Sequence, residues 1–144
     1  MRKRKAFSVA LVLLLAIAVS APSCSDSSLR QASVVINDFA NSLEKVQDAE
    51  IIAHNQGFVS QSDHVAIQAT IENLATYGQS AVTAIRVQKS KVGAIAAIDS
   101  ALVEIDKLLN KGLLGVKNEQ SKAGLTALIL AVRGTLTTAK ALLT

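Results

Sequence analysis

An all-α fold, an up-down-up-down four-helix bundle behind an N-terminal signal peptide, is predicted by three features of this sequence. The only proline, Pro22, precedes the body of the chain, so nothing beyond it locks φ or removes a backbone donor. The body is rich in alanine and leucine, both strong helix formers. Its apolar residues recur at steps of three and four in four separate stretches, the spacing of one buried helix face.

The first 23 residues read as an export signal, leaving residues 24–144 as one helical-bundle domain. Arg2, Lys3, Arg4 and Lys5 open the chain, and the sixteen residues Ala6 to Ala21 follow without a charge. A cationic start, a short apolar run and a small-residue end make up a secretory signal. The run is shorter than the ~20 residues that span a bilayer as a helix.

Cys24 is the only cysteine, so an internal disulfide is impossible. Ser23-Cys24 just past an apolar segment resembles the cleavage and acylation site of bacterial lipoproteins, with Ala21 where those sites usually carry leucine. Together with its helical body, the chain resembles small exported bacterial lipoproteins of uncharacterised function; the Asn110 to Lys122 connection shares that likeness. The resemblance implies a lipid on Cys24 and attachment to a membrane. In a Gram-negative envelope, Ser25 after the cysteine is not the aspartate that signals inner-membrane retention. The expected location is therefore periplasmic, outer-membrane or otherwise envelope-attached, or secreted.

Charge excludes a tempting partner. The chain holds 15 Lys+Arg against 11 Asp+Glu, with a pI near 9.4. Four of those cations lie in the signal, so the rest is neutral. Nucleic-acid binding rests on clustered phosphate neutralisers, and none is expected here. The remaining charge is polarised: Ser25 to Glu72 has a net charge of −5, and Asn73 to Thr144 of +5. Such halves attract, within one bundle or between copies in a homo-oligomer.

The first helix is predicted from Ser27 to Gln56, with a stripe of Leu29, Ala32, Ile36, Phe39, Leu43 and Val46. Glu50 falls on the next stripe position, Ala53 follows, and Gly57 offers a stop. Ser60 and Asp63 have capping-box spacing ahead of a second stripe, Ile67, Ile71, Leu74, Gly78, Ala81 and Ile85. The small residues Gly78 and Ala81 would let a neighbouring helix approach closely. Between Gln88 and Gly93 the phase slips by about one residue, which favours a turn over one long bent helix. The third stripe is Ile95, Ile98, Leu102, Ile105 and Leu109. After an apolar connection at Leu113-Leu114-Gly115-Val116, the fourth is Leu125, Ile129, Val132, Leu136, Ala139 and Leu143. Leu128 and Leu130 extend its apolar surface, so this helix is expected to be the most buried. Its run from Leu125 to Val132 is short for a membrane span and ends at Arg133.

The best candidate for chemistry is Glu50, His54, Asp63 and His64. Glu50 and His54 are four apart and share a helix face; Asp63 and His64 open the next helix across a short loop. Imidazole and carboxylate are ordinary zinc ligands, so the four form a candidate metal set, without an HExxH spacing or a cysteine pair. There is no nucleophile elbow, no phosphate-cradling loop and no CxxCH. Catalysis and a resident cofactor are therefore not expected. The leading expectation is a non-catalytic envelope lipoprotein with a structural or protein-interaction role. The alternatives are a soluble exported bundle that binds a small apolar ligand or a metal, and a self-assembling coiled-coil protein.

Overall fold

The computed structural model describes residues 27–111 and 115–144. The predicted signal segment, Cys24 and the Gly112-Leu113-Leu114 part of the last connection lie outside the described residues. Four helices form: α1 (Ser27–Asn55), α2 (Gln61–Arg86), α3 (Lys91–Asn110) and α4 (Glu119–Leu143). Each packs on its sequence neighbours, and α4 closes back on α1. With connections of a few residues, that is the up-down-up-down four-helix bundle.

Local chemistry sets the helix limits. At the end of α1, Gly57 takes φ 76; its N–H donates to His54 O at 2.9 Å, and that of Phe58 to Ala53 O at 2.9 Å. This paired closure needs a left-handed residue, which glycine supplies without a Cβ clash. The next three helices start on side-chain caps. Ser60 Oγ accepts from the Asp63 N–H at 3.2 Å and its hydroxyl donates to the Asp63 carboxylate. Ser90 Oγ accepts from Gly93 N–H at 3.0 Å, and Asn118 Oδ1 from Ser121 N–H at 2.9 Å. Such caps are worth about 1 kcal/mol each.

The region of 60–112 resolves into two helices. The turn residue is Lys89, with φ 53, rather than Gly93, which lies inside α3. There Gly93 serves close approach: a Cβ on it would stand 3.3 Å from the Ala84 Cβ of α2.

The predicted stripes of α1, α2 and α4 are buried residue for residue. That of α3 is rotated. Its deepest positions are Ala94, Ile98, Ala101, Ile105 and Leu108, while Ile95, Leu102 and Leu109 are half-buried beside them. The small alanines let α3 sit close to its neighbours, and the larger side chains flank the contact. A reading that ranks residues by apolarity misses this, because alanine is weakly apolar.

The expected burial of α4 is also corrected. Ten residues of α1 are buried against six of α4, and Leu130 is 50% exposed. Both helices have two neighbours, but α4 packs only lightly on α3, so its second apolar face meets solvent. The helix runs unbroken through Arg133, whose Nε–H donates to Asp106 Oδ1 at 2.9 Å. Among the described residues, α4 alone is long and apolar enough to cross a membrane by length and composition. A core helix passes the same test, and the seam of α4 is occupied by the bundle.

Lys140–Asp99 at 2.7 Å and Arg133–Asp106 at 2.9 Å tie α3 to α4, and all four residues belong to the basic half.

At one end of the bundle the two loops meet. Val59 and Val116 form an isolated antiparallel bridge, both side chains are buried, and Lys117 N–H donates to Phe58 O at 2.8 Å. The opposite end, the foot, holds the start of α1, the α2–α3 turn and the end of α4.

Candidate functional site

Glu50 continues the apolar stripe of α1 by one more step, and the helix carries it into the α1–α2 interface. Its side chain is 0% exposed. An enclosed carboxylate is costly unless donors satisfy it. Three contacts from α2 do so: His64 Nδ1 lies 2.9 Å from Oε1 and 3.0 Å from Oε2, and Gln68 Nε2–H donates to Oε2 at 2.5 Å. Gln47, one turn before Glu50, donates through Nε2–H to Gln68 Oε1 at 3.3 Å. The network alternates between helices, with Gln47 and Glu50 on α1 and His64 and Gln68 on α2.

The network also defines the histidines. A carboxylate only accepts, so His64 carries its proton on Nδ1, facing Glu50. His54 Nδ1 lies 3.0 Å from Val59 O; a carbonyl also only accepts, so this ring too is protonated on Nδ1. The two rings stack with centroids 4.1 Å apart and planes 11° from parallel. They flank an open groove of about 510 Å³ whose lining also includes Gln47, Gln61, Gln68 and Glu72.

The predicted four-residue set is therefore divided. Glu50, His54 and His64 come together at the α1–α2 end of the bundle. Asp63 does not join them: consecutive helix residues point about 100° apart, and Asp63 faces α3. There it caps its own helix and presses on Gly115, where any Cβ would overlap its carboxylate. It lines a separate cavity of about 230 Å³ with Glu104 and Lys107. The Glu104 carboxylate, hydrogen-bonded to Lys107 at 2.8 Å, raises that ammonium's pKa above its ordinary value.

Among the described residues no group of three or more His, Cys, Asp or Glu gathers as a metal set. The stack explains why the histidines do not provide one. An imidazole binds metal through a lone pair in its ring plane, at about 2.0–2.1 Å. Near-parallel planes that far apart do not aim two such lone pairs at one ion.

Gly78 and Ala81 are both buried, and Gly78 does admit a close neighbour. That neighbour is a side chain: a Cβ on Gly78 would stand 2.6 Å from Cε1 of Phe39. The ring of α1 fills the hole that the glycine leaves in α2. Cys24, the predicted lipidation residue, lies outside the described residues.

Gln47 and Gln68 were missed in the sequence. Their spacing carried the signal, since Gln47 lies one turn before Glu50 and Gln68 one turn after His64. In comparisons with known proteins, no family model, no curated protein and no solved structure matches this chain.

Proposed function

We propose that this chain is a non-catalytic helical-bundle lipoprotein of the cell envelope, attached through an acyl group on Cys24. It acts by structure or by contact with another protein. The observation that carries this reading is how the most reactive side chains are used. Glu50, His64 and Gln68 satisfy one another between α1 and α2, and His54 bonds the carbonyl of Val59 just past the end of α1. The groove beside them is lined by amides, apolar groups, the two imidazoles and Glu72, with no hydroxyl or thiol nucleophile. The export-like start and the position of Cys24, three residues ahead of α1, support the attachment.

Intact-mass analysis of the protein extracted from membranes tests it. The expected mass is that of residues 24–144 plus acyl groups, with palmitate label incorporated. Label that persists in Cys24→Ser would sink the attachment.

One observation favours a second reading, a soluble exported module that binds a small ligand. The groove is open, and in neutral rings that donate from Nδ1 the Nε2 of both histidines is an acceptor. A ligand presenting hydrogen-bond donors would suit it. Thermal melts with a small hydrogen-bond donor, an alkyl diammonium first, separate the readings: a structural bundle keeps its midpoint, and a ligand-binding module raises it with concentration.

A further inference from the structure

The hydrogen bonds around Glu50 share a direction. Its carboxylate only accepts, and it is 0% exposed, so its neighbours turn donors towards it: His64 through Nδ1 and Gln68 through Nε2. Gln47 in turn donates to Gln68 Oε1, and His54 donates from Nδ1 to the Val59 carbonyl. What these groups leave over is an acceptor. In the neutral rings it is Nε2 of His54 and of His64, and in Gln47 it is Oε1. The carboxylate behind His64 strengthens the Nε2 of that ring as an acceptor, as carboxylates do behind metal-bound imidazoles.

All three residues line the open groove between α1 and α2. Glu72, two turns beyond His64 on α2, adds an exposed carboxylate to the same lining. No lysine or arginine is among the lining residues. Glu50 meets His64 and Gln68 and, among the described residues, no lysine or arginine. With His64 neutral, the enclosed negative charge has hydrogen bonds but no cation beside it. Ile51, Val65 and Ala69 place apolar surface next to the acceptors.

We propose that this groove binds a small organic ammonium ion. The head group donates to Nε2 of the two imidazoles and to the Gln47 carbonyl. Its charge lies between Glu72 and the enclosed Glu50, and its alkyl part rests on Ile51, Val65 and Ala69. An ammonium has three donors and no acceptor, the complement of this lining. The stacked rings aim their lone pairs at separate points, which one metal ion does not meet and diverging N–H bonds do. This inference deepens the ligand-binding reading of the groove given above and rests on it.

Butylammonium, butanol and butanoate differ only in the head group and test the assignment. Each is titrated into the full processed chain above the pH range in which imidazoles titrate, and amide resonances are followed. Butylammonium is expected to shift amides of residues 47–55 and 61–72 and to bind several-fold more tightly than butanol, with butanoate not binding. Glu72→Gln should weaken it several-fold. Asp38→Asn, which removes an exposed carboxylate of α1 away from the groove lining, should leave it unchanged. Equal binding of butanol and butylammonium overturns the ammonium assignment and leaves the groove reading standing. Preference for butanoate does the same, since it requires His64 to be an imidazolium with a donor at Nε2. Shifts spread over surface carboxylates, or equal losses in the two variants, reduce the effect to general ion pairing and overturn the assignment as well. No shift with any of the three probes overturns both the assignment and the groove reading.

Discussion

Around Phe39 and Gly78 the α1–α2 interface is dry, and about three turns further along α1, around Glu50 and His64, it is polar. The two stretches lie on the same stripe of the same helix and are equally buried, with Phe39 and Glu50 both at 0% exposure. In the first, a glycine opens a hole and a ring fills it, so the contact depends on shape. In the second, one carboxylate is met by an imidazole and an amide, and the contact depends on which donors face it. Many apolar residues could occupy the first stretch at modest loss. The second accepts one alignment of the helices, because sliding α2 by a turn would leave Glu50 enclosed without donors. The comparison assigns stability mainly to the dry stretch and register to the polar one.

The largest effect is expected from emptying the dry stretch. Phe39→Ala should destabilise by about 3–5 kcal/mol, measured by urea unfolding. His64→Ala comes next, at about 3 kcal/mol, because it strips an enclosed carboxylate of its main partner. The paired change Glu50→Leu with His64→Leu sharpens the contrast. It should return stability to within about 1 kcal/mol of the parent or above it, while broadening amide resonances near the α1–α2 loop as register loosens. A double variant as unstable as His64→Ala alone would break the assignment of register to the polar stretch.

Gly78→Ala is smaller. Overpacking against Phe39 costs about 1–3 kcal/mol, and alanine returns about 1 kcal/mol of helix propensity, for a net loss of roughly 1 kcal/mol. Phe39→Leu in the same chain should relieve the clash, and a double-mutant cycle reads that coupling. The smallest effect belongs to the surface. Arg133 and Asp106 are about half-exposed, so Arg133→Ala should change stability by about 0.5 kcal/mol or less.

The stripes of α1, α2 and α4 were legible because each places its bulkiest apolar residues at the core, and periodicity records that directly. The stripe of α3 was not, since its deepest contacts run through Ala94 and Ala101. The candidate cluster was legible in part. The four-residue spacing put Glu50 and His54 on one face, but placing Asp63 beside its neighbour His64 ignored the rotation between consecutive helix positions. The partners of Glu50 were polar residues without a reactive reputation, and nothing in composition distinguishes Gln68 from a solvated glutamine. The Val59–Val116 bridge joins residues far apart in the chain, a pairing that local patterns do not encode.

That bridge has a consequence for the order in which the molecule assembles and opens. The α1–α2 and α3–α4 pairs are each local, and each can close as a hairpin with little loss of chain freedom. The bridge links the turns of the two hairpins, so it forms only after they have docked. Among the described residues of the α3–α4 connection, Val116 and Lys117 pair with the α1–α2 loop and Gly115 packs against Asp63. The loop end is thus the last part to form and the first to exchange its amide protons. Lys117 N–H is the amide whose protection reports when the two hairpins have become one protein.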